Sequence, residues 1–96
     1  MFTELKGRRA LLTGASRGLG VFIARGLAKE GVDLVLTARD ASKLAGVKEE
    51  CDKLGCRVSV LAVDVCLADD RERLLREAGV IDILVNNAGV EITRGL

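Results

Sequence analysis

Short apolar runs along the chain alternate with longer stretches in which apolar residues return every three or four positions. Residues 8–13 (RRALLT) read as a strand that runs into a glycine-rich stretch. Leu19, Phe22, Ile23, Gly26 and Leu27 then recur at helical spacing, with Arg25, Lys29 and Glu30 on the other side. Gly31 closes that helix. Residues 32–37 (VDLVLT) give a second strand. Asp40 or Ser42 can cap a second helix whose apolar stripe is Leu44, Val47, Cys51 and Leu54, with Gly55 after it. Residues 57–63 (RVSVLAV) form the third strand. Asp69 or Asp70 opens a third helix, with Leu74, Leu75 and Ala78 inward and Gly79 as its stop. Residues 81–85 (IDILV) are the fourth strand, followed by Asn86, Asn87, Ala88 and Gly89.

Strict alternation of strand and helix with short connections predicts an α/β fold built from βαβ units around a parallel sheet. The strands barely alternate between apolar and polar residues, as expected of a sheet covered on both faces. Right-handed crossovers and a reversal after the third strand predict the order 3-2-1-4. The first two helices then lie on one face and the third on the other. No internal repeat or low-complexity segment breaks the pattern.

Composition adds boundaries more than function. With 96 residues, 49% of them hydrophobic and 30% charged, the chain has the make-up of one small globular unit. Fifteen basic and fourteen acidic residues leave a net charge of +1, which offers no field to nucleic acid or to an anionic membrane. The first residues carry charges and no apolar core of a signal peptide, and no run approaches the roughly 20 residues of a membrane span, so a cytoplasmic protein is expected. Cys51, Cys56 and Cys66 are odd in number, and no histidine is present to complete a metal site. They read as reduced thiols acting as small hydrophobes, and no metal is expected.

The chemistry concentrates where the first strand meets the first helix, at Thr13-Gly14-Ala15-Ser16-Arg17-Gly18-Leu19-Gly20. Gly14 permits a tight turn, Gly18 lets backbone approach a pyrophosphate, and Gly20 lets the helix pack closely on the sheet. The helix start offers N–H groups and partial positive charge to an anion. No Gly-Lys-Ser/Thr follows Gly14 at the spacing of a P-loop.

These residues resemble the Thr-Gly-x-x-x-Gly-x-Gly signature of the short-chain dehydrogenase/reductase family. Asn86 to Gly89 resembles that family's Asn-Asn-Ala-Gly signature, and Asp64-Val65 its adenine-contacting pair. The resemblance implies a Rossmann-like, doubly wound sheet truncated after its fourth strand, with residues 1–96 the N-terminal, incomplete portion of a dinucleotide-binding domain. It also implies roles. The backbone from Gly14 through Ala15, Ser16, Arg17 and Gly18 to Leu19 would cradle the phosphates. Asp64 would accept from the adenine amino group, and the Val65 N–H would reach the ring. Asn86, Asn87, Ala88 and Gly89 would line the adenosine ribose and brace the sheet. Taken alone, Asp64 also reads as a turn or helix cap.

Cofactor choice is set at the end of the second strand, where NAD-binding proteins usually carry an acidic residue on the ribose 2′-hydroxyl. Here that position is Ala38, followed by Arg39. A guanidinium binds a 2′-phosphate through charge-assisted bonds, and Arg17 can reach the same group, so NADP(H) is expected over NAD(H), which stays possible. Asp40 argues the other way unless it caps the second helix. The family's catalysis needs a tyrosine with a lysine four residues on, and the chain has no tyrosine. No catalytic residue is therefore assigned, and the 96 residues are expected to be inactive alone. From Asp64 to Asp82 the chain is about one helical turn shorter than is common in the family.

The resemblance implies a parent that transfers hydride between NADP(H) and a small ketone or alcohol, as a homo-oligomer. A non-catalytic nucleotide-binding module is the alternative, and the missing tyrosine fits it. A methyltransferase of similar fold would usually show an acidic residue just after the second strand, and Ala38 and Arg39 speak against that.

Overall fold

The structure is a computed structural model that describes residues 5–15 and 18–86, with nothing said of the Ala41 side chain. The elements run β1 (Arg9–Thr13), α1 (Leu19–Lys29), β2 (Asp33–Ala38), α2 (Ala41–Asp52), β3 (Val58–Ala62), α3 (Ala68–Ala78) and β4 (Ile83–Asn86). All strand pairs are parallel, in the order β3-β2-β1-β4. The chain steps outward from β1 to β3, then α3 carries it back to the far side of β1. The order expected from right-handed crossovers is the one observed.

Register decides which side chains meet. Leu11 lies level with Val35 on β2 and with Leu84 on β4, and Leu36 lies level with Val60 on β3. Alternate residues therefore point to opposite faces. Ala10, Leu12, Leu34 and Leu36 join Ala24 and Ala28 of α1 and Leu44, Val47 and Cys51 of α2 in one core. Leu11, Val35 and Val63 pack with Leu74 and Ala78 of α3 in the other. Two helices thus cover one face and one helix the other, as expected. Burying one leucine such as Leu12 or Leu36 contributes about 1.5–3 kcal/mol.

Two helices turn differently from the expected stripes. In α1 the inward row is Gly20, Ala24 and Ala28, while Leu19 is 56% and Phe22 72% exposed. Small residues four apart let the helix lie close against the sheet, and the bulkier apolar residues are displaced to its flanks. Ile23 and Leu27, from the expected stripe, are partly buried beside that row. In α3, Leu74 and Ala78 face inward, but Leu75 is 68% exposed because it lies about 100° around the helix from Leu74.

Helix ends follow local chemistry. The Asp40 side chain caps α2 by accepting the Ser42 N–H at 3.0 Å. Neither Asp69 nor Asp70 caps α3, whose N-cap is Leu67 without a side-chain bond. Asp70 instead accepts the Asp64 N–H at 2.7 Å, which ties the preceding turn to the first turn of the helix. β4 begins two residues later than the apolar run suggests. Its would-be second residue, Asp82, bonds outward: its Oδ2 accepts the Arg9 N–H at 2.9 Å. Asp33 does the same at the start of β2, accepting the Arg57 N–H at 2.9 Å. The ion pair joining Arg25 of α1 to Glu50 of α2, at 2.6 Å, is about half exposed on both sides and contributes at most a few tenths of a kcal/mol to about 1. Among the described residues no helix is long and apolar enough to cross a membrane.

Candidate functional site

The carboxyl ends of β1, β2, β3 and β4 point toward one rim of the sheet, and the turns leaving them carry the residues singled out in the sequence. In an open parallel sheet, the crevice beside the strand-order reversal is where ligands bind. Here the reversal falls beside β1, at the turn into α1.

That turn is built from glycine. Gly14 has φ 63°, a left-handed conformation that leads the chain off the sheet. Ala15, fully buried, donates its N–H to the Thr37 carbonyl at 3.0 Å, pinning the turn to the end of β2. Gly18 is the N-cap of α1, with φ 57° and ψ −129°, and no side chain caps the helix. The first N–H groups of a helix have no partner within it, so this bare start presents donors and the positive end of the helix dipole. A Cβ placed on Gly18 would meet no atom of the described residues within 4 Å. Gly20 is buried against the sheet, as its predicted packing role requires. Ser16 and Arg17 lie outside the described residues.

At the end of β2, Ala38 is buried and Arg39 is exposed. Arg39 makes no ion pair or hydrogen bond among the described residues. Asp40, which follows it, is committed elsewhere: its Oδ1 accepts both the Ser42 N–H at 3.0 Å and the Ser42 hydroxyl at 2.6 Å. These two bonds hold the Asp40 carboxyl below its ordinary pKa. Position 40 is thus a helix cap, the role expected of it at the start of α2.

Beyond β3, Asp64 and Val65 sit half-buried in the turn into α3. Asp64 Oδ1 accepts the Cys66 N–H at 2.9 Å, so the local turn role read for this residue is present. Arg71 donates to the Val65 carbonyl at 2.8 Å. Among the described residues no acceptor takes the Val65 N–H. The turn therefore keeps one open backbone donor at Val65.

At the end of β4, Asn86 belongs to the strand and is not the first residue after it. It lies level with Thr13 of β1, and the Thr13 hydroxyl sits 3.1 Å from Asn86 Oδ1 and 3.4 Å from the Val85 carbonyl. This bond braces β1 against β4 at the crevice. Asn87, Ala88 and Gly89 lie outside the described residues.

Two threonines escaped the sequence reading. Thr13 was seen only as the first letter of a motif, and Thr37 as one more strand residue. Thr37 is 1% exposed, and its hydroxyl has no hydrogen-bond partner among the described residues. Only register could have found them, since strand pairing sets Thr13 level with Asn86 and Thr37 level with Leu61. Cys51 and Cys56 fill packing roles, whereas Cys66 is exposed and does not. Burial pushes the Cys51 thiol up to about 11 and raises that of Cys56. All three cysteines are unbridged, and no metal-ligating cluster exists among the described residues.

A four-stranded parallel sheet with this order, and a bare helix start at its reversal, places the chain among the doubly wound α/β proteins. It belongs to the short chain dehydrogenase family, whose profile it matches over residues 8–96. It is 41% identical over 92 residues to gluconate 5-dehydrogenase of Gluconobacter oxydans (strain 621H), covering 92% of this chain and 36% of that protein. It is 44% identical over 94 residues to ketoacyl reductase HetN of Nostoc sp. (strain PCC 7120), covering 94% of this chain and 33% of that one. Among solved structures it resembles a metagenomic short-chain oxidoreductase in complex with NADP. There the TM-score is 0.74 and the identity 39%, over 83% of this chain and 38% of the other. The chain spans about a third of the length of the curated relatives it matches.

Proposed function

We propose that this chain is the cofactor-holding part of an oxidoreductase that moves hydride between NADP(H) and a small carbonyl compound or alcohol. The observation that carries the reading is the start of α1. Among the described residues it has no side-chain cap, its N-cap is a glycine in a conformation that L residues rarely adopt, and a Cβ there would meet no atom within 4 Å. A pyrophosphate fits there, held by backbone N–H groups. The open N–H of Val65 and the carboxylate of Asp64 suit the adenine, and Asn86 the adenosine ribose. Ser16, Arg17, Asn87, Ala88 and Gly89 complete the set on the family pattern.

The dinucleotide, when bound, supplies or accepts the hydride. This chain's own residues bind and orient it. Reduction of a carbonyl also needs a proton donor for the developing alkoxide. The family's tyrosine has no counterpart here, since the 96 residues contain none. They are accordingly expected to hold the cofactor without turning over substrate, and in that respect they behave as the alternative, a nucleotide-binding module.

Preference for NADP(H) rests on Arg39. It is exposed, unpaired among the described residues, and preceded by Ala38 where an NAD-binding protein would carry a carboxylate. Asp40 is held by Ser42 and does not oppose a phosphate directly. A charged hydrogen bond contributes about 1.5–3 kcal/mol, so NADPH should bind at least ten-fold more tightly than NADH. Titration of both cofactors against wild type and Arg39→Ala tests this, with the preference expected to collapse in the variant. Equal affinities in the wild type would refute the preference, and binding of neither cofactor would refute the site.

A further inference from the structure

The hydroxyl of Thr37 stands out because it is buried and, among the described residues, unpartnered. Leaving such a group without a bond disfavours folding, and valine would fill the same space without that cost. Something other than the free protein's stability therefore accounts for a threonine here.

Its position indicates what. Leu34, Leu36 and Ala38 of β2 point into the core under α1 and α2. Thr37 therefore points to the opposite face with Val35, toward α3. It lies level with Leu61 of β3, one residue short of the bond from the Val63 N–H to the Ala38 carbonyl. The chain then continues directly into Asp64 and Val65. On its other side, the Thr37 carbonyl receives the Ala15 N–H from the glycine turn. Thr37 thus joins three parts of the rim: the turn before α1, the segment before α3, and Arg39 two residues on.

We propose that Thr37 is a positioning residue of the dinucleotide site, whose hydroxyl gains its hydrogen-bond partner when the adenosine end binds and settles the 63–65 segment over it. The proposal rests on the dinucleotide reading above and adds to it a residue outside the glycine turn, the adenine pair and the arginine selector. Free protein carries the unmet bond, and bound protein makes it, so one side chain is coupled to occupancy.

Thr37→Val and Thr37→Ser separate this from a structural role. Thermal melting without ligand and calorimetric titration with NADPH, 2′,5′-ADP and nicotinamide mononucleotide are the measurements. Thr37→Val should melt at or above the wild-type temperature and bind NADPH and 2′,5′-ADP about five- to ten-fold more weakly. Thr37→Ser should keep the wild-type affinity. Any weak binding of nicotinamide mononucleotide, which lacks the adenosine end, should be the same in all three proteins. A lower melting temperature in Thr37→Val would show the hydroxyl already partnered in the free protein and overturn the proposal. Unchanged affinity of Thr37→Val for 2′,5′-ADP, with the wild type binding well, would overturn it alone. A wild type that binds neither NADPH nor 2′,5′-ADP would overturn the site and the proposal together.

Discussion

Replacing Gly18 with alanine separates the folding of the glycine turn from its binding. The backbone there, at φ 57° and ψ −129°, is one that L residues rarely adopt, and forcing alanine into it costs about 1–3 kcal/mol. No steric term adds to that, because the new Cβ meets no atom within 4 Å in the free protein. At about 4–8 °C per kcal/mol for a domain of this size, the melting temperature should fall by roughly 5–20 °C. Binding should suffer separately. On the proposed placement of the pyrophosphate at the helix start, the added methyl group keeps it from the N–H groups of the first turn. Loss of even one charge-assisted bond there is worth about ten-fold or more in affinity. Titration with NADPH well below the variant's melting temperature, corrected for any unfolded fraction, isolates the second effect. A Gly18→Ala protein that is destabilised as expected yet binds NADPH with wild-type affinity would show that no phosphate lies over Gly18.

Two further outcomes follow from titrating groups. Hydrogen bonds from Ser42 lower the Asp40 pKa, so the cap stabilises α2 fully above the ordinary carboxylate value near 3.8 and loses that contribution as pH falls through the lower folded value. Asp40→Asn, which caps without titrating, should show a smaller fall in melting temperature between pH 5 and pH 3 than wild type; an identical fall would remove Asp40 from the acid response. Cysteine labelling of the native protein at pH 8 should modify exposed Cys66 first and leave buried Cys51 untouched, because a pKa of about 11 leaves roughly 0.1% thiolate there; rapid labelling of Cys51 would mean that α2 opens readily from the sheet.

What could be read from the sequence was whatever local physics decides. The strand order followed from alternation and handedness, and Asp40 was recognisable as a cap because the helix begins one residue later. The inward face of α1 was not, because periodicity favours large apolar residues while close helix–sheet packing selects Gly20, Ala24 and Ala28. The start of β4 was misplaced because Asp82 sits within an apolar run yet bonds to the neighbouring strand. At the site, Gly14, Gly18 and Arg39 showed in sequence because their roles depend on their own backbone or charge. Thr37 and the Thr13–Asn86 brace did not, because each depends on strands distant in sequence coming into register.

The two ends of the sheet are fastened by different means. At the amino ends, Asp33 and Asp82 each hold the backbone of the adjoining strand with a carboxylate, at 2.9 Å in both cases. At the carboxyl ends the neutral bond between Thr13 and Asn86 spans β1 and β4, and Thr37 contributes no side-chain bond. Such a sheet is hinged like a book bound along one edge. Local opening should begin at the rim that meets the ligand, while strand alignment is remembered at the opposite edge, so amide exchange would run faster toward the carboxyl ends of the same strands. A one-residue slip would turn the core faces outward, and two aspartates far from the crevice guard against it while the crevice adjusts to its guest.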